Sequence, residues 1–346
     1  MKDPAAVAVR LQELVTEEMR SYGVPLQAAL YRFRSPEQTW QSNGGTQIEK
    51  AILLAAMLRH AGMEAFVAGV VRTPLYDRKM AILGQPDEFC VRVNMKETGV
   101  WYLSVTGQNS VNLKHTLSGR TFIVFGESGK VSYEESGESR HVVQVTGNFM
   151  VSSDPKLTGE LTLYMEGAVY PRPGLVRDTT MLRKALTGNL VKSDASALKK
   201  SVFNNENGFQ TYIVQSDKPF RIDSGFYYFR LPVVNSGVES WSSRNFSARR
   251  EKDYEVPSAA DESYQFTINL PAGMALFTPE RKINVSNKAG SYTWEVRQDK
   301  GKVTVTRSLK LNGALIPVSV YPELKILMDH WNNPWNRQLV FRRTAI

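Results

Sequence analysis

A chain of 346 residues with 42% apolar, 10% aromatic and 22% charged side chains lies outside the disordered and collagen-like composition classes and is long enough to fold as two or three domains. Its one cysteine, Cys90, excludes an intrachain disulfide and a thiolate zinc cage. None of the histidines His60, His115, His141 and His330 stands at metal-ligand spacing, and no sequence signal for a cofactor is present. The 43 Lys+Arg against 34 Asp+Glu give a net charge of +9, which permits attraction to polyanions. The densest basic cluster, Arg249, Arg250 and Lys252, is followed by Asp253 and Glu255, as on a solvated strand or loop, and nucleic acid is not an expected partner.

No run of about 18 consecutive apolar residues occurs, so no transmembrane helix is encoded. Met1 to Pro4 leads into a helical pattern without an apolar signal core; either the chain is not exported or its leader lies outside this sequence. Asp3-Pro4 forms an N-cap and first-turn pair, and Val7, Leu11, Leu14, Val15 and Met19 recur at helical spacing, predicting an amphipathic helix up to Gly23. Ser35 to Gly45 reads as a polar loop. Thr46-Gln47-Ile48-Glu49 then supplies a capping box, in which Thr46 and Glu49 satisfy each other's free backbone N–H. The helix that follows is apolar on almost every face from Ala51 to Ala61 and ends at Gly62, so it belongs at the centre of a domain.

Strands are predicted at Ala65 to Val71, Phe89 to Val93, Val100 to Val105 and Thr121 to Phe125. Past about residue 130 the hydrophobic period changes to two, which predicts a domain boundary in Gly126–Lys130, with domains of 1–128 and 129–346. Tyr264, Phe266, Ile268 and Leu270 alternate inward. So do Tyr292, Trp294 and Val296, followed by Asp299-Lys300-Gly301 and by Val303 and Val305, a hairpin signature. Helical insertions are predicted at Thr180 to Leu190 and Ala195 to Phe203, a short helix after Pro322, and a last strand at Gln338 to Arg342. The expected class is α+β: a buried helix on a short antiparallel sheet, then a β-sandwich with helical excursions.

Phosphate-loop, dinucleotide, hydrolase-elbow and zinc-peptidase motifs are absent; Gly126-Glu-Ser-Gly129-Lys130 has the wrong glycine spacing and Val131 where Ser or Thr should hold magnesium. One segment, Gly44 to Phe66, resembles the core helix of the bacterial transglutaminase-like family, a papain-type fold in which Gly-Asp-Cys-Lys-Asp-Lys-Ala opens a buried helix. The similarity runs through Lys50-Ala51, Leu53-Leu54, Leu58-Arg59, Gly62 and Ala65. Phe89-Cys90-Val91 is similar to the family's Phe-Asn-His, and Trp101-Tyr102-Leu103-Ser104-Val105-Thr106 to its Trp-Tyr-Leu-Asp-Pro-Thr. The resemblance spans residues 5 to 125; the β-rich remainder, with Tyr321-Pro-Glu-Leu-Lys325, also looks like the C-terminal domain of multidomain members.

In that family a cysteine at a helix N-terminus is the nucleophile, a histidine on a neighbouring strand takes its proton and an aspartate orients the imidazole. The three positions here carry Gln47, Val91 and Ser104. None can perform its role, so the resemblance implies a degenerate triad and a protein that binds a peptide, protein or glycan, or serves a structural role, at the periplasmic or cell-surface side of a bacterial envelope. Trp40 and Trp101, with Gln47, are the expected groove residues. The competing reading is an active cysteine-dependent transglutaminase or peptidase using an unrecognised nucleophile such as Cys90, which lies in a predicted strand where nothing lowers a thiol pKa. His60, thirteen positions along the helix from Gln47 and about 20 Å away, reads as structural.

Overall fold

The structure is a computed structural model that describes residues 3–26, 28, 32–72, 79, 86–95, 99–106, 119–136, 140–167, 197–203, 207–234, 237–241, 246 and 249–344. It is mixed α+β and mostly β, in two compact units, the first spanning Met1–Ser139 and the second taking most of the chain from Arg140 onward.

In the first unit, helix α1 (Pro4–Glu13) starts where the Asp3 side chain accepts from the Ala5 amide at 3.0 Å, with proline in its first turn. It runs on as a π-turn over Leu14–Glu18. The chain then extends, because Arg20–Ser21 pairs in parallel with Gly44–Gly45; the expected helix therefore stops at Glu18, five residues before Gly23. The segment expected as a loop contains α2 (Pro36–Gln41), which Ser35 and Gln38 open with a capping box of their own. Helix α3 (Gln47–His60) carries the predicted Thr46/Glu49 box and ends where Gly62 takes φ +83°, a left-handed conformation that a Cβ would strain.

Behind α3 stands a five-stranded antiparallel sheet of β1 (Glu64–Arg72), β2 (Glu88–Met95), β3 (Gly99–Ser104), β4 (Arg120–Phe125) and β5 (Val131–Glu135), in spatial order β3-β2-β1-β4-β5. Ala51, Leu54, Ala55 and Leu58 of α3 are fully buried against Ala65, Val91, Val93 and Leu103. The opposite sheet face carries Ala68, Val70, Cys90, Tyr102, Phe122 and Val124, with Tyr102 stacked on Phe122 at 3.7 Å between ring centres. Gly126–Lys130, the predicted boundary, is instead the turn joining β4 to β5, with Phe125 paired to Val131. The period-two pattern that marked the change of domain begins one strand early because β5 is the first unit's own edge.

The second unit is built on an eight-stranded sheet. Its strands are β6 (Arg140–Val151), β7 (Leu157–Glu166), β8 (Ala197–Phe203), β9 (Asn207–Ser216), β12 (Ala259–Asn269), β14 (Arg281–Asn287), β15 (Gly290–Asp299) and β16 (Lys302–Leu311), in order β8-β9-β7-β6-β12-β16-β15-β14. Only the β6–β12 pair is parallel. A four-stranded antiparallel sheet of β10 (Arg221–Asp223), β11 (Phe226–Arg230), β13 (Met274–Leu276) and β17 (Gln338–Arg343) runs β10-β11-β17-β13. Phe229 of this sheet meets Phe149 of the larger one edge-on, and helix α4 (Tyr321–Asn332) sets Trp331 against Tyr264 and Tyr292. The predicted hairpin is β15–β16, with Lys300 and Gly301 at positive φ in its turn. Of Ala195 to Phe203, expected as helix, the described part, Ala197–Phe203, is strand β8: its residues pair with β9 from Ala197↔Ile213 to Phe203↔Gly208, a long-range ladder that overrides the local helix preference of Leu-Lys-Lys. Thr180 to Leu190 lies outside the described residues.

Candidate functional site

The α3 N-terminus is where the sequence placed the site, and residues on either side of Gln47 hold it firmly. Glu49 reaches back to the Thr46 amide (2.9 Å) and accepts from Arg34 three times: Nε at 2.9 Å, Nη2 at 2.7 Å and the backbone N–H at 3.1 Å. Hydrogen bonding from Arg34 holds the carboxyl of Glu49 down to about 2, against the opposing effect of burial. Arg34 also donates to Ser42 Oγ and Gly44 O and lies over the Tyr22 ring. Lys50, fully buried, donates to Met19 O at 3.2 Å and Ser21 Oγ at 2.9 Å, and burial lowers its pKa. Thus Glu49 ties α3 to the segment before α2, and Lys50 ties it to the end of the N-terminal helix.

Beside Gln47 opens a groove of about 230 Å³, lined by Val24, Pro25 and Leu26, by Phe33, by Thr46, Gln47 and Ile48, and by Pro86, Asp87 and Phe89. Most of its lining residues are apolar by type, but the surface they present to the groove is mostly polar, with Thr46, Gln47 and Asp87 as the polar side chains, so it offers hydrogen-bonding groups to an occupant. Sequence reasoning found only Gln47 among these residues. Apart from its neighbours Thr46 and Ile48, the others come from three separate segments, 24–26, 33 and 86–89, that no spacing rule connects.

The remaining expected site residues do not join the groove. Val91 is fully buried in the core under α3. Ser104 is fully buried at the end of β3, opposite Cys90 in register; its Oγ contacts Thr106 N and Thr106 O, and its carbonyl accepts from Gln12. Trp101, expected to stack on a ligand, is 6% exposed and sits in the core with Val91 and Leu103. The alternation of β3 that turns Leu103 inward turns Trp101 inward as well, so it offers no groove face. Trp40 is 50% exposed on α2 but does not line the groove. Cys90 faces away from α3, fully buried, and burial, reinforced by Glu88, pushes its thiol well above the ordinary value. His60 lies at the far end of α3, and His115 lies outside the described residues. Among the described residues no cluster of three His, Cys, Asp or Glu side chains is arranged to hold a metal ion.

The second unit buries a polar chain that the sequence did not reveal. Ser258 Oγ lies 3.3 Å from His141 Nδ1, and His141 Nε2 lies 3.3 Å from Glu262, whose carboxylate also accepts from the Val238 amide at 2.7 Å and from the Tyr264 hydroxyl. The order serine, histidine, carboxylate matches a hydrolytic triad, but all three are 3% exposed or less. Trp241 meets the imidazole edge-on at 5.7 Å. A nucleophile needs substrate access, so this chain acts by cross-linking β6 and β12. His141 and Glu262 are 121 residues apart, beyond any local motif.

Known proteins match the chain in part. Residues 225–341 match the family model of a domain of unknown function with solved structure, DUF3858. No curated protein matches the chain. Among solved structures, the chain is similar over 99% of its length to one described as a "putative protease" from Parabacteroides distasonis ATCC 8503, with 18% identity and a TM-score of 0.64. It spans about half of that protein, 52%. An M1 zinc metallopeptidase from Deinococcus radiodurans is similar over 59% of this chain and 41% of its own, at 10% identity and a TM-score of 0.21, too low for a shared fold to follow. The first likeness is one of fold alone.

Proposed function

We propose that the protein is a transglutaminase-like protein without catalytic activity, with a papain-type N-terminal core, and that it binds a peptide, protein or glycan in the groove beside Gln47 at the periplasmic or cell-surface side of a bacterial envelope. The observation that supports this reading is the braced start of α3 beside the groove. Glu49 and Lys50 are fully engaged there, while the positions that the family resemblance assigns to a nucleophile, a base and an orienting group hold Gln47, Val91 and Ser104. A groove with intact walls and no reacting group can hold a chain without cutting or linking it. The burial and raised pKa of Cys90 favour this reading over a thiol enzyme. The protease description belongs to the Parabacteroides protein, of which this chain covers about half.

The test is binding to peptide and glycan arrays by the wild-type chain and by Gln47→Trp, which fills the groove from a position outside the core. At least tenfold weaker binding by the variant is the expected result. Ligands bound equally by both proteins would place recognition elsewhere.

A further inference from the structure

The outer face of the four-stranded sheet carries side chains that the sandwich itself does not use. Tyr227, Phe229, Leu339 and Phe341 point inward and are buried. The alternate residues form the outer face: Arg221 opposite Tyr228, Tyr228 opposite Val340, Phe226 opposite Arg342, and Arg230 opposite Gln338. Phe277, 47% exposed, joins them and packs against Phe226 at 4.8 Å between ring centres. The outer layer of a sandwich is ordinarily polar, and clustered aromatic rings there mark an interaction surface.

The arginines define what it would hold. Arg221 lies over the Tyr228 ring at 4.6 Å and Arg342 over Phe277 at 5.4 Å. None of Arg221, Arg230 and Arg342 makes an ion pair among the described residues, and all three are exposed. Among the described residues of the sheet, Asp223, opposite Phe226, is the one carboxylate on the face. A guanidinium over a ring face keeps its planar fork of N–H donors for bidentate capture of an oxyanion. Strand spacing and register put the Cα of Arg221 roughly 8 Å from that of Arg230 and roughly 12 Å from that of Arg342, the scale of one or two sugar rings. Guanidiniums lie over Tyr228 and Phe277, so a nucleobase cannot stack on them as on an open platform. Ring edges and the free faces of the arginines remain for sugar C–H groups and acid groups.

We infer that this face, apart from the groove of the first unit, binds an anionic polysaccharide through carboxylate or sulfate groups captured by Arg221, Arg230 and Arg342 beside Phe226, Tyr228 and Phe277. The experiment is affinity electrophoresis of the full chain through native gels containing alginate, a polyuronate, with neutral dextran as the reference and oligothymidylate as a competitor. Alginate is expected to retard the wild-type chain, more at low salt than at high, and dextran is not. Arg221→Gln with Arg342→Gln should weaken retardation at least tenfold. Arg221→Lys with Arg342→Lys keeps both charges but loses the flat fork, should weaken it about threefold, and keeps the test decisive if the glutamine pair does not fold. Lys130→Gln with Arg59→Gln removes the same charge from the first unit and should change nothing. Absence of retardation, equal loss in the Lys130 and Arg59 variant, no loss in either arginine pair, or displacement by oligothymidylate at a lower charge concentration than alginate would each overturn the assignment.

Discussion

Glu49 is the side chain on which the groove's architecture turns, and Glu49→Gln isolates its charge. Glutamine can still serve in a capping box, so the substitution preserves the cap of α3 and removes the ionic partner of Arg34. The carboxyl sits at about 2 against an ordinary 4.5. Because its folded-state pKa is depressed, the contribution is fully present above the unfolded value and is lost as pH falls from about 4.5 to about 2. At 1.36 kcal/mol per pH unit, that gap is worth on the order of 3 kcal/mol. Arg34 is one-third exposed, so solvent screening reduces this to about 2 kcal/mol. Urea unfolding of the full chain, followed by circular dichroism and by tryptophan fluorescence to resolve the two units, should show the first unit's transition lowered by about 2 kcal/mol at pH 7. Between pH 5 and pH 2.5 the wild type should lose stability faster than the variant, until the two converge. A loss below about 0.5 kcal/mol at pH 7, or parallel pH profiles, would refute the reasoning.

Other expectations follow from the same geometry. Cys90 should react with a disulfide reagent on the order of a hundredfold more slowly in the folded chain than in urea, since its thiol is fully buried; comparable rates would place it at the surface. Gln47→Cys should give a thiol titrating below about 8.5, because the α3 N-terminus favours the thiolate, as read from iodoacetamide rates against pH. Leu54→Ala, at a fully buried position, should cost about 2–5 kcal/mol in chemical denaturation. Glu262→Ala strands the Val238 amide and the Tyr264 hydroxyl in a buried site and should cost about 3 kcal/mol without altering ligand binding in the first unit.

What was legible in the sequence was mostly local. The Thr46/Glu49 box and Gly62 bracketed α3, and alternation located β1 to β4 and the β15–β16 hairpin. Helix α2 carries the same signal, Ser35 with Gln38 and a proline at the first turn, yet its short polar body gave no apolar period to pair with it. Strand β8 was misread because its partner, β9, and not its own residues, fixes its conformation. At the site, the resemblance pointed to Gln47, which lines the groove, and to Val91 and Ser104, which are buried away from it. It could not show that Trp101 turns inward, nor that Val24, Phe33 and Pro86 come together at the groove, since those contacts depend on tertiary packing. The Ser258–His141–Glu262 chain and the arginine-aromatic face likewise arise from strand pairing across long stretches of sequence.

The most direct test of the central claim is an acyl-transfer and peptidase assay on the full chain, with a glutamine-donor protein, a fluorescent amine and a peptide library, and with Cys90→Ser measured alongside. The account predicts no turnover above background in either protein while both keep their circular dichroism. Turnover in the wild type that Cys90→Ser abolishes would contradict it, and would move the reacting group to the sheet face turned away from α3.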